Sequence, residues 1–176
     1  MQEKALQFAR EAHGEQKRKY SDEAYIEHPK RVAEMIKTVP HSEEMVCAAY
    51  LHDVVEDTPV SIQDIQRKFG GKVAKLVEEL TDEYTNEKYP YLNRRKRKKK
   101  EVARQAETST EAKTIKLADI IDNTRDIVKN NKNFAPRYLS EMEALTEVLQ
   151  GGDFQLLMKA CYEIQHGKIE LEIIPG

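Results

Sequence analysis

A histidine and an aspartate stand side by side as His52 and Asp53, directly after the apolar run Ala48-Ala49-Tyr50-Leu51. That run is apolar enough to be buried, and burying an imidazole beside a carboxylate costs several kcal/mol unless both groups find partners. A metal ion is the usual partner. The sequence offers two further ligands of suitable chemistry, His28 upstream and Asp119 downstream. A fold that buries the pair therefore has to bring distant segments of the chain together.

Length and composition favour an all-α protein. The chain has 176 residues, which suits one hydrophobic core, so we expect residues 1–176 to form a single domain. It contains no Trp and only 7 Gly and 6 Pro, a composition typical of helical proteins. The spacing of the apolar residues predicts a compact bundle of about eight to ten helices. The C-terminal apolar residues alternate with polar ones, which fits either a short strand-like tail or an extended end: Ile169, Leu171, Ile173 and Ile174.

Caps, breakers and apolar periodicity place the helices along the chain. The predicted helices cover residues 2–13, the segment from Pro29 to Pro40, the segment from Ser42 toward Glu56, residues 61–69, 73–80 and 93–105, about twenty residues from Ser109 or Thr110, the segment from Pro136 to Leu149, and residues 154–164. Ser61 with Asp64 resembles a capping box. Residues 82–92 are predicted to form a loop.

Charge, cysteine and apolar content exclude several classes of protein. The 31 acidic and 29 basic residues nearly cancel, so the whole molecule has no bias toward nucleic acid. Cys47 and Cys161 lie in apolar helical segments without metal-type spacing, which predicts buried free thiols in a reducing compartment. No stretch approaches the ~18 to 20 apolar residues that span a bilayer, and the N-terminus lacks the apolar core of a secretory signal. We therefore expect a cytoplasmic protein.

The candidate ligands His28, His52, Asp53 and Asp119 combine two imidazoles with two carboxylates, a set typical of sites between packed helices. Such a set suits Mn²⁺, Fe²⁺, Co²⁺ or Zn²⁺ and is too rich in nitrogen for a typical Mg²⁺ site. The alternative is that each histidine is an ordinary surface or hydrogen-bonded residue. We give that interpretation to the remaining histidines: His13, His41 and His166.

Three sequence blocks occur in order around these ligands: Tyr25-Ile26-x-His28-Pro29, Leu51-His52-Asp53-x-x-Glu56-Asp57-Thr58 and Lys116-Leu117-Ala118-Asp119-x-x-x-Asn123. Together they resemble the HD-domain superfamily. More narrowly, they resemble the hydrolase domain of the RelA/SpoT alarmone enzymes and the stand-alone small alarmone hydrolases. The bare His-Asp pair is a weak signal, whereas the full run with the other two blocks is specific.

The resemblance implies a bundle of about ten helices and a Mn²⁺ ion held by His28, His52, Asp53 and Asp119. The implied reaction removes the 3′-pyrophosphate from guanosine tetra- or pentaphosphate and gives GDP or GTP plus pyrophosphate. The implied catalytic and substrate-binding residues are Glu56 and Asp57 as the acidic pair, Arg18 and Lys19 as a basic pair, and Asn123 as an amide that contacts the substrate. Lys116, three residues before Asp119, is expected to pair with a carboxylate or with the substrate.

The sequence also departs from the relatives at three places. Asp122 stands where relatives usually carry an aromatic residue or a histidine. The loop from Ser21 to Ala24 lacks the glycine common there, and the segment Thr81-Asp82-Glu83-Tyr84-Thr85 is unusually acidic. A carboxylate at position 122 is expected either to affect the substrate's charge or to face solvent.

Glu56 and Asp57 suit general base catalysis. Glu56 follows His52 by four residues and Asp57 follows Asp53 by four, so a continuing helix would place both acids over the metal. We expect Glu56 to accept the proton of an attacking water and Asp57 to orient the water or the ester. The alternative is a plain polar helix end. Acids at a helix C-terminus oppose the helix dipole, which favours the functional interpretation.

The basic run Arg94-Arg95-Lys96-Arg97-Lys98-Lys99-Lys100 fits a solvated helix face, electrostatic steering of a polyanionic nucleotide, or nucleic-acid binding. Because its charges surround the helix, we expect no anchoring stripe there and mobility until a ligand binds. Three further functions remain open for the chain: a phosphohydrolase for an adenosine alarmone, a deoxynucleotide or NADPH; a non-catalytic nucleotide-binding module; and a nucleic-acid binder with steeply salt-dependent affinity.

Overall fold

Ten α-helices and no strand make up residues 1–172, which are the residues that the computed structural model describes. The helices are α1 (Gln2–His13), α2 (Glu27–Ile36), α3 (Glu43–Leu51), α4 (Val54–Asp57), α5 (Ile62–Phe69), α6 (Gly71–Leu80), α7 (Arg94–Ala106), α8 (Thr110–Asn130), α9 (Ala135–Val148) and α10 (Phe154–Glu170). Lys17 and Ala24 form one isolated β-bridge in the loop after α1. The all-α prediction is confirmed, and so is the expected number of helices.

Helix α8 is the central helix of the bundle. The Ser109 side chain caps it by accepting a hydrogen bond from the Ala112 N–H at 3.2 Å, as the sequence predicts. The helix packs against α2, α3, α6, α9 and α10. Its fully buried side chains include Ile115, Leu117 and Ile121, each of which contributes roughly 1.5–3 kcal/mol of hydrophobic free energy. A carboxylate on this helix is therefore held rigidly within the core.

The helix predicted from Ser42 toward Glu56 is interrupted at the His-Asp pair. Helix α3 ends at Leu51, and the backbone of Asp53, at φ −95° and ψ −8°, departs from regular helical values. The four-residue helix α4 follows, closed by the Asp57 N–H, which donates to the Asp53 carbonyl at 2.9 Å. The expectation of one continuous helix is wrong because the chain turns here, and the turn directs His52 and Asp53 toward α2 and α8.

Helix α2 begins two residues before Pro29 and ends at Ile36, three residues earlier than the predicted limit at Val39. Pro29 lies in the first helical turn, where its missing N–H is tolerated. The earlier start places His28 inside the first turn of the helix rather than before it. The capping box of Ser61 and Asp64 is confirmed at the start of α5.

The basic helix α7 is held in place by polar side chains, so the expectation that it lacks an anchor is wrong. Glu101 and Gln105 are buried on its inner side. At its start, Arg94 donates two hydrogen bonds to Glu141 of α9, each 2.7 Å long. The anchoring face of this helix combines Val102, which packs against the core, with hydrogen-bonded polar groups that an apolar pattern does not reveal.

The predicted strand-like tail is wrong for the part that the structure describes. Ile169 lies in α10, and Leu171 follows it in a turn in which the Leu171 N–H donates to the Gly167 carbonyl at 3.1 Å. Ile173 and Ile174 lie outside the described residues. Helix α10 continues past Ile164 to Glu170, and Gly167 within it closely approaches α8 and α9.

The two cysteines are free thiols, as predicted, although only Cys47 is fully buried and Cys161 is half-buried. Of the described helices, none has the length and apolar character needed to cross a bilayer.

His13 and His41 make hydrogen bonds through their Nδ1 atoms, and His166 is exposed. The ordinary interpretation of these three histidines therefore agrees with the structure.

Candidate active site

Three helical elements bring His28, His52 and Asp119 together. His28 comes from the first turn of α2, His52 from the turn after α3, and Asp119 from the middle of α8. Their ligand atoms lie within 4.8 Å of one another, and all three residues are buried. Asp119 Oδ1 is 3.2 Å from His28 Nε2 and 3.6 Å from His52 Nε2. Ligands about 2.1 Å from one ion are separated by roughly 3.0–3.4 Å, so the spacing fits a shared metal ion.

The tautomers of both histidines also fit a metal site. His52 Nδ1 lies 2.8 Å from the Ala49 carbonyl oxygen, which can only accept, so Nδ1 carries the proton. His28 Nδ1 lies 2.7 Å from the Asp122 carboxylate and donates to it in the same way. The Nε2 atoms of both rings are buried and make no hydrogen bond to any described residue. Two imidazole lone pairs thus point toward carboxylates, an arrangement that a cation stabilises.

The local charges make this site strongly attractive to cations. Burial alone would lower the pKa of His28, but the neighbouring Asp119, Asp122 and Asp53 outweigh it and raise the pKa to about 9. Burial would likewise raise the pKa of Asp119, yet Lys116 and the two imidazoles hold it well below its usual range. A proton and a metal ion therefore compete for the same imidazole nitrogens, and metal binding is expected to release protons.

Asp53 lies at the edge of the same group. Its Oδ2 atom is 3.2 Å from His52 Nε2 and 3.5 Å from His28 Nε2. The same oxygen accepts a hydrogen bond of 2.6 Å from the Tyr25 hydroxyl, and the Tyr25 ring stacks on His13. Burial would raise the pKa of Asp53, but the two imidazoles hold it well below its usual range. Asp53 is thus ionised and oriented toward the histidines.

Lys116 and Asn123 both hold Asp119 in place. Lys116 Nζ donates to Asp119 Oδ2 at 2.9 Å, and Asn123 Nδ2 donates to Asp119 Oδ1 at 2.6 Å. Arg18, which is almost completely buried, donates to Asn123 Oδ1 at 2.7 Å and to Asp126 at 2.9 Å. Three residues predicted to bind substrate therefore also form a network behind the metal group.

A cleft of about 630 Å³ opens over this group. Eight of the ten predicted site residues line it: Arg18, Lys19, Asp53, Glu56, Asp57, Lys116, Asp119 and Asn123. The remaining two, His28 and His52, are buried beneath its floor. Its volume lies in the range typical of sites for nucleotide-sized ligands. The structure thus brings all the predicted site residues to one place.

Glu56 and Asp57 stand on the wall of the cleft, at the end of α4. Glu56 Oε2 accepts a hydrogen bond from the Asp82 N–H at 3.1 Å. Limited hydration in the cleft, together with the charges of Asp82 and Asp53, raises the pKa of Glu56 to about 7. Asp57 is exposed at the cleft mouth, where partial loss of hydration and the charge of Asp53 raise the pKa of its carboxyl group. A carboxylate with a pKa near neutrality is suited to proton transfer.

Three acidic residues of this region were not identified as site residues from the sequence. Asp82 lies in the cleft and pairs with Lys98 at 3.1 Å. Glu101 is buried beneath the loop that carries Asp82, and Asp122 contacts His28 instead of facing the substrate or solvent. The available signal was the unusual acidity of residues 81–85 and of position 122, but sequence alone does not show what those carboxylates contact.

A family model described as "HD domain" matches residues 5–145, so the chain belongs to the HD-domain family. Guanosine-3′,5′-bis(diphosphate) 3′-pyrophosphohydrolase MESH1 of Drosophila melanogaster is 38% identical over 128 residues, which cover 71% of this chain and 68% of that protein. The Xenopus tropicalis protein of the same name is 36% identical over 175 residues, covering 94% of this chain and 89% of that protein.

A solved structure described as a metazoan ortholog of SpoT that hydrolyzes ppGpp superposes on this fold with a TM-score of 0.83. It is 31% identical, and the match covers 94% of each chain. Within the HD-domain family the protein is therefore related to the MESH1 and SpoT ppGpp hydrolases, and the resemblance predicted from the sequence is confirmed.

Proposed function

We propose that this protein hydrolyses the 3′-pyrophosphate of guanosine tetra- or pentaphosphate, giving GDP or GTP and pyrophosphate. The observation that carries the proposal is the convergence of two buried, unpartnered imidazole nitrogens on Asp119, below a cleft whose wall carries an acidic pair. The activity stated in the names of the MESH1 relatives supports the same reaction. We further propose that residues 1–176 form one HD-type domain, and the two free thiols support a cytoplasmic location.

The metal ligands that we propose are His28, His52, Asp53 and Asp119. Two imidazoles with two carboxylates favour Mn²⁺ over Mg²⁺, and other divalent transition metals fit the same donors. When bound, such an ion supplies Lewis acidity toward a phosphoryl oxygen and toward the attacking water. Asp53 is the fourth ligand in this proposal because its Oδ2 atom lies near both Nε2 atoms.

Glu56 is the proposed general base and Asp57 the residue that orients the water or the ester. Water attacks the phosphorus next to the 3′-oxygen, and Glu56 accepts the proton that this water loses. The bond between that phosphorus and the 3′-oxygen breaks, the 3′-oxygen takes a proton from solvent as pyrophosphate leaves, and Glu56 returns its proton to solvent. The pKa of about 7 keeps a large fraction of Glu56 deprotonated at neutral pH while leaving it basic enough to accept the proton.

Basic and amide side chains that line the cleft are the proposed contacts for the substrate phosphates. Lys19 lines the cleft and makes no ion pair with any described residue, so its charge is available to a phosphate. Arg18, Lys116 and Asn123 are the other proposed substrate contacts, although they also hold Asp119 and its neighbours. Of the basic run on α7, Arg94 and Lys98 line the same cleft, where they pair with Glu141 and Asp82.

The test is turnover by the purified protein loaded with Mn²⁺. With guanosine tetraphosphate as substrate, chromatography should resolve GDP and pyrophosphate in equal amounts. A panel containing an adenosine alarmone, deoxynucleotides and NADPH serves as the comparison. If a nucleotide of the panel releases phosphate or pyrophosphate faster than guanosine tetraphosphate does, that nucleotide is the substrate. Bound metal and bound nucleotide without turnover would instead identify a binding module.

A further inference from the structure

Asp122 is a buried carboxylate that the proposed reaction does not use. It lies on α8, three residues after Asp119, and only 5% of its surface is exposed. Its Oδ2 atom is 2.7 Å from His28 Nδ1, on the side of the ring opposite the metal group. A negative charge in the core requires compensation, and a hydrogen bond from the His28 imidazole alone is not enough to provide it.

Arg31 of α2 supplies that compensation. Its Nε donates to Asp122 Oδ1 at 2.6 Å and its Nη2 to Asp122 Oδ2 at 3.1 Å, so the guanidinium grips both carboxylate oxygens. Its Nη1 and Nη2 atoms also donate to Glu23 Oε1 and Oε2, each at 2.8 Å. Paired, two-point contacts of this kind fix the orientation of both partners. We call Asp122, Arg31 and Glu23 the Asp122 network.

The two candidate histidine ligands are thus oriented in different ways. His52 Nδ1 donates to a backbone carbonyl, that of Ala49, one turn earlier in the same segment. His28 depends instead on a side chain from another helix, which a third side chain holds in turn. An ionised carboxylate on the far nitrogen of a ligating imidazole fixes its tautomer and makes Nε2 a stronger donor.

We propose that the Asp122 network is a positioning device that holds His28 with Nδ1 protonated and Nε2 directed at the metal, and so sets the metal affinity of the site. The inference rests on the proposed function, because it requires a metal ion at His28. It assigns Asp122, Arg31 and Glu23 no contact with substrate. Their effect on turnover therefore passes through metal occupancy.

Substitutions along the network should have graded effects on Mn²⁺ affinity. Asp122→Ala removes the acceptor for His28 and should weaken Mn²⁺ binding about 10- to 100-fold. Asp122→Asn keeps an acceptor atom but loses the charge, so its loss should be smaller. Arg31→Ala should resemble Asp122→Asn, and Glu23→Gln, one step further out, should show the smallest change. Glu163→Gln is the matched control, because it alters the Arg125–Glu163 pair on the outer side of α8.

The experiment is calorimetric titration of Mn²⁺ into the metal-free full chain and each variant, with thermal unfolding recorded to show that each is folded. Turnover is then measured over a range of Mn²⁺ concentrations. The Asp122 variants should recover most of the wild-type kcat at saturating Mn²⁺, and their half-saturating Mn²⁺ concentration should be higher than that of the wild type. Nitrogen NMR of the Zn²⁺-loaded protein should show the His28 ring protonated at Nδ1.

Wild-type affinity in Asp122→Asn and Arg31→Ala would overturn the inference while leaving the proposed function in place. A kcat that stays low in both variants at saturating Mn²⁺ would also overturn it, because it would indicate a direct role in the reaction. Failure of the wild-type protein to bind Mn²⁺ would instead defeat the proposed function, and the inference with it. If Asp122→Ala does not fold, the Mn²⁺ affinities of Asp122→Asn and Glu23→Gln still test the inference.

Discussion

The main-chain N–H of Asp82 donates to the Glu56 carboxylate at 3.1 Å, across 26 residues of sequence. The proposed general base is therefore held by the backbone of the loop that follows α6. That loop is itself fixed by α7, because Glu101 accepts hydrogen bonds from the N–H groups of Glu83 and Tyr84, both at 3.1 Å. The position of Glu56 thus depends on a helix whose outer face is cationic.

Replacing the acidic pair should abolish most turnover without removing the metal. We expect Glu56→Gln and Asp57→Asn each to lower kcat by about 10²- to 10⁴-fold, since the first removes the proton acceptor and the second removes the group that orients the water or the ester. Metal content, measured by elemental analysis, should be unchanged because neither residue is a proposed ligand. Glu107→Gln, an exposed substitution at the end of α7, is the control. Near-normal turnover in both active-site variants would refute the assignment.

The acid limb of the pH profile should report Glu56. Because the base acts when deprotonated, kcat should rise with pH through the pKa of Glu56, which restricted hydration and the charge of Asp82 raise to about 7. Asp82→Asn removes a negative charge, so the pKa of Glu56 should fall and the limb should move to lower pH. Both proteins are compared at equal Mn²⁺ saturation, since a nearby cation also lowers a carboxyl pKa.

Asp64→Asn serves as the charge-matched control for this profile, because Asp64 caps α5 away from the cleft. It should leave the acid limb where it is. If the acid limb of the kcat profile does not move in Asp82→Asn, a group other than Glu56 controls kcat in that pH range.

Loss of the Glu101 contacts should damage both stability and turnover. Glu101→Ala leaves the half-buried N–H groups of Glu83 and Tyr84 without their acceptor, at a cost of up to roughly 1–3 kcal/mol for each, and it removes the carboxylate partner of Arg104. Urea unfolding should show a lower midpoint, and kcat should fall because the loop no longer fixes Glu56. Glu101→Gln keeps one acceptor oxygen and should lie between Glu101→Ala and the wild type. Equal kcat values in Glu101→Ala, Glu101→Gln and the wild type would show that the contacts of this loop do not affect catalysis.

Much of the fold could be predicted because its determinants are local. Ser61 with Asp64 and Ser109 cap their helices through contacts made within three residues, so the sequence alone places those helix starts. The break at Asp53 could not be predicted in this way. It depends on packing that directs His52 toward His28 and Asp119, and nothing in the local periodicity requires it.

The same distinction applies to the candidate site. His28, His52 and Asp119 could be selected from the sequence because their chemistry is recognisable at any distance along the chain. The partners of Asp122 could not, since Arg31 is 91 residues away and its contact is set by how α2 packs on α8. Lys116 likewise had two open roles, and the structure shows it bonded to Asp119. Polar networks of this kind arise from tertiary packing, which periodicity does not encode.

Gly167 lies where α10 packs closely against α8 and α9. A Cβ atom there would lie 2.8 Å from Val128 Cγ2 and 3.3 Å from a Leu139 methyl group. Alanine is favoured over glycine inside a helix by about 1 kcal/mol, but overpacking against a stiff valine costs roughly 1–3 kcal/mol. We therefore expect Gly167→Ala to lower the free energy of unfolding, measured by urea denaturation. Gly71→Ala, whose Cβ would meet no atom within 4 Å, should be neutral or stabilising. A stabilised Gly167→Ala protein would show that α10 does not pack closely on α8 and α9 at this position.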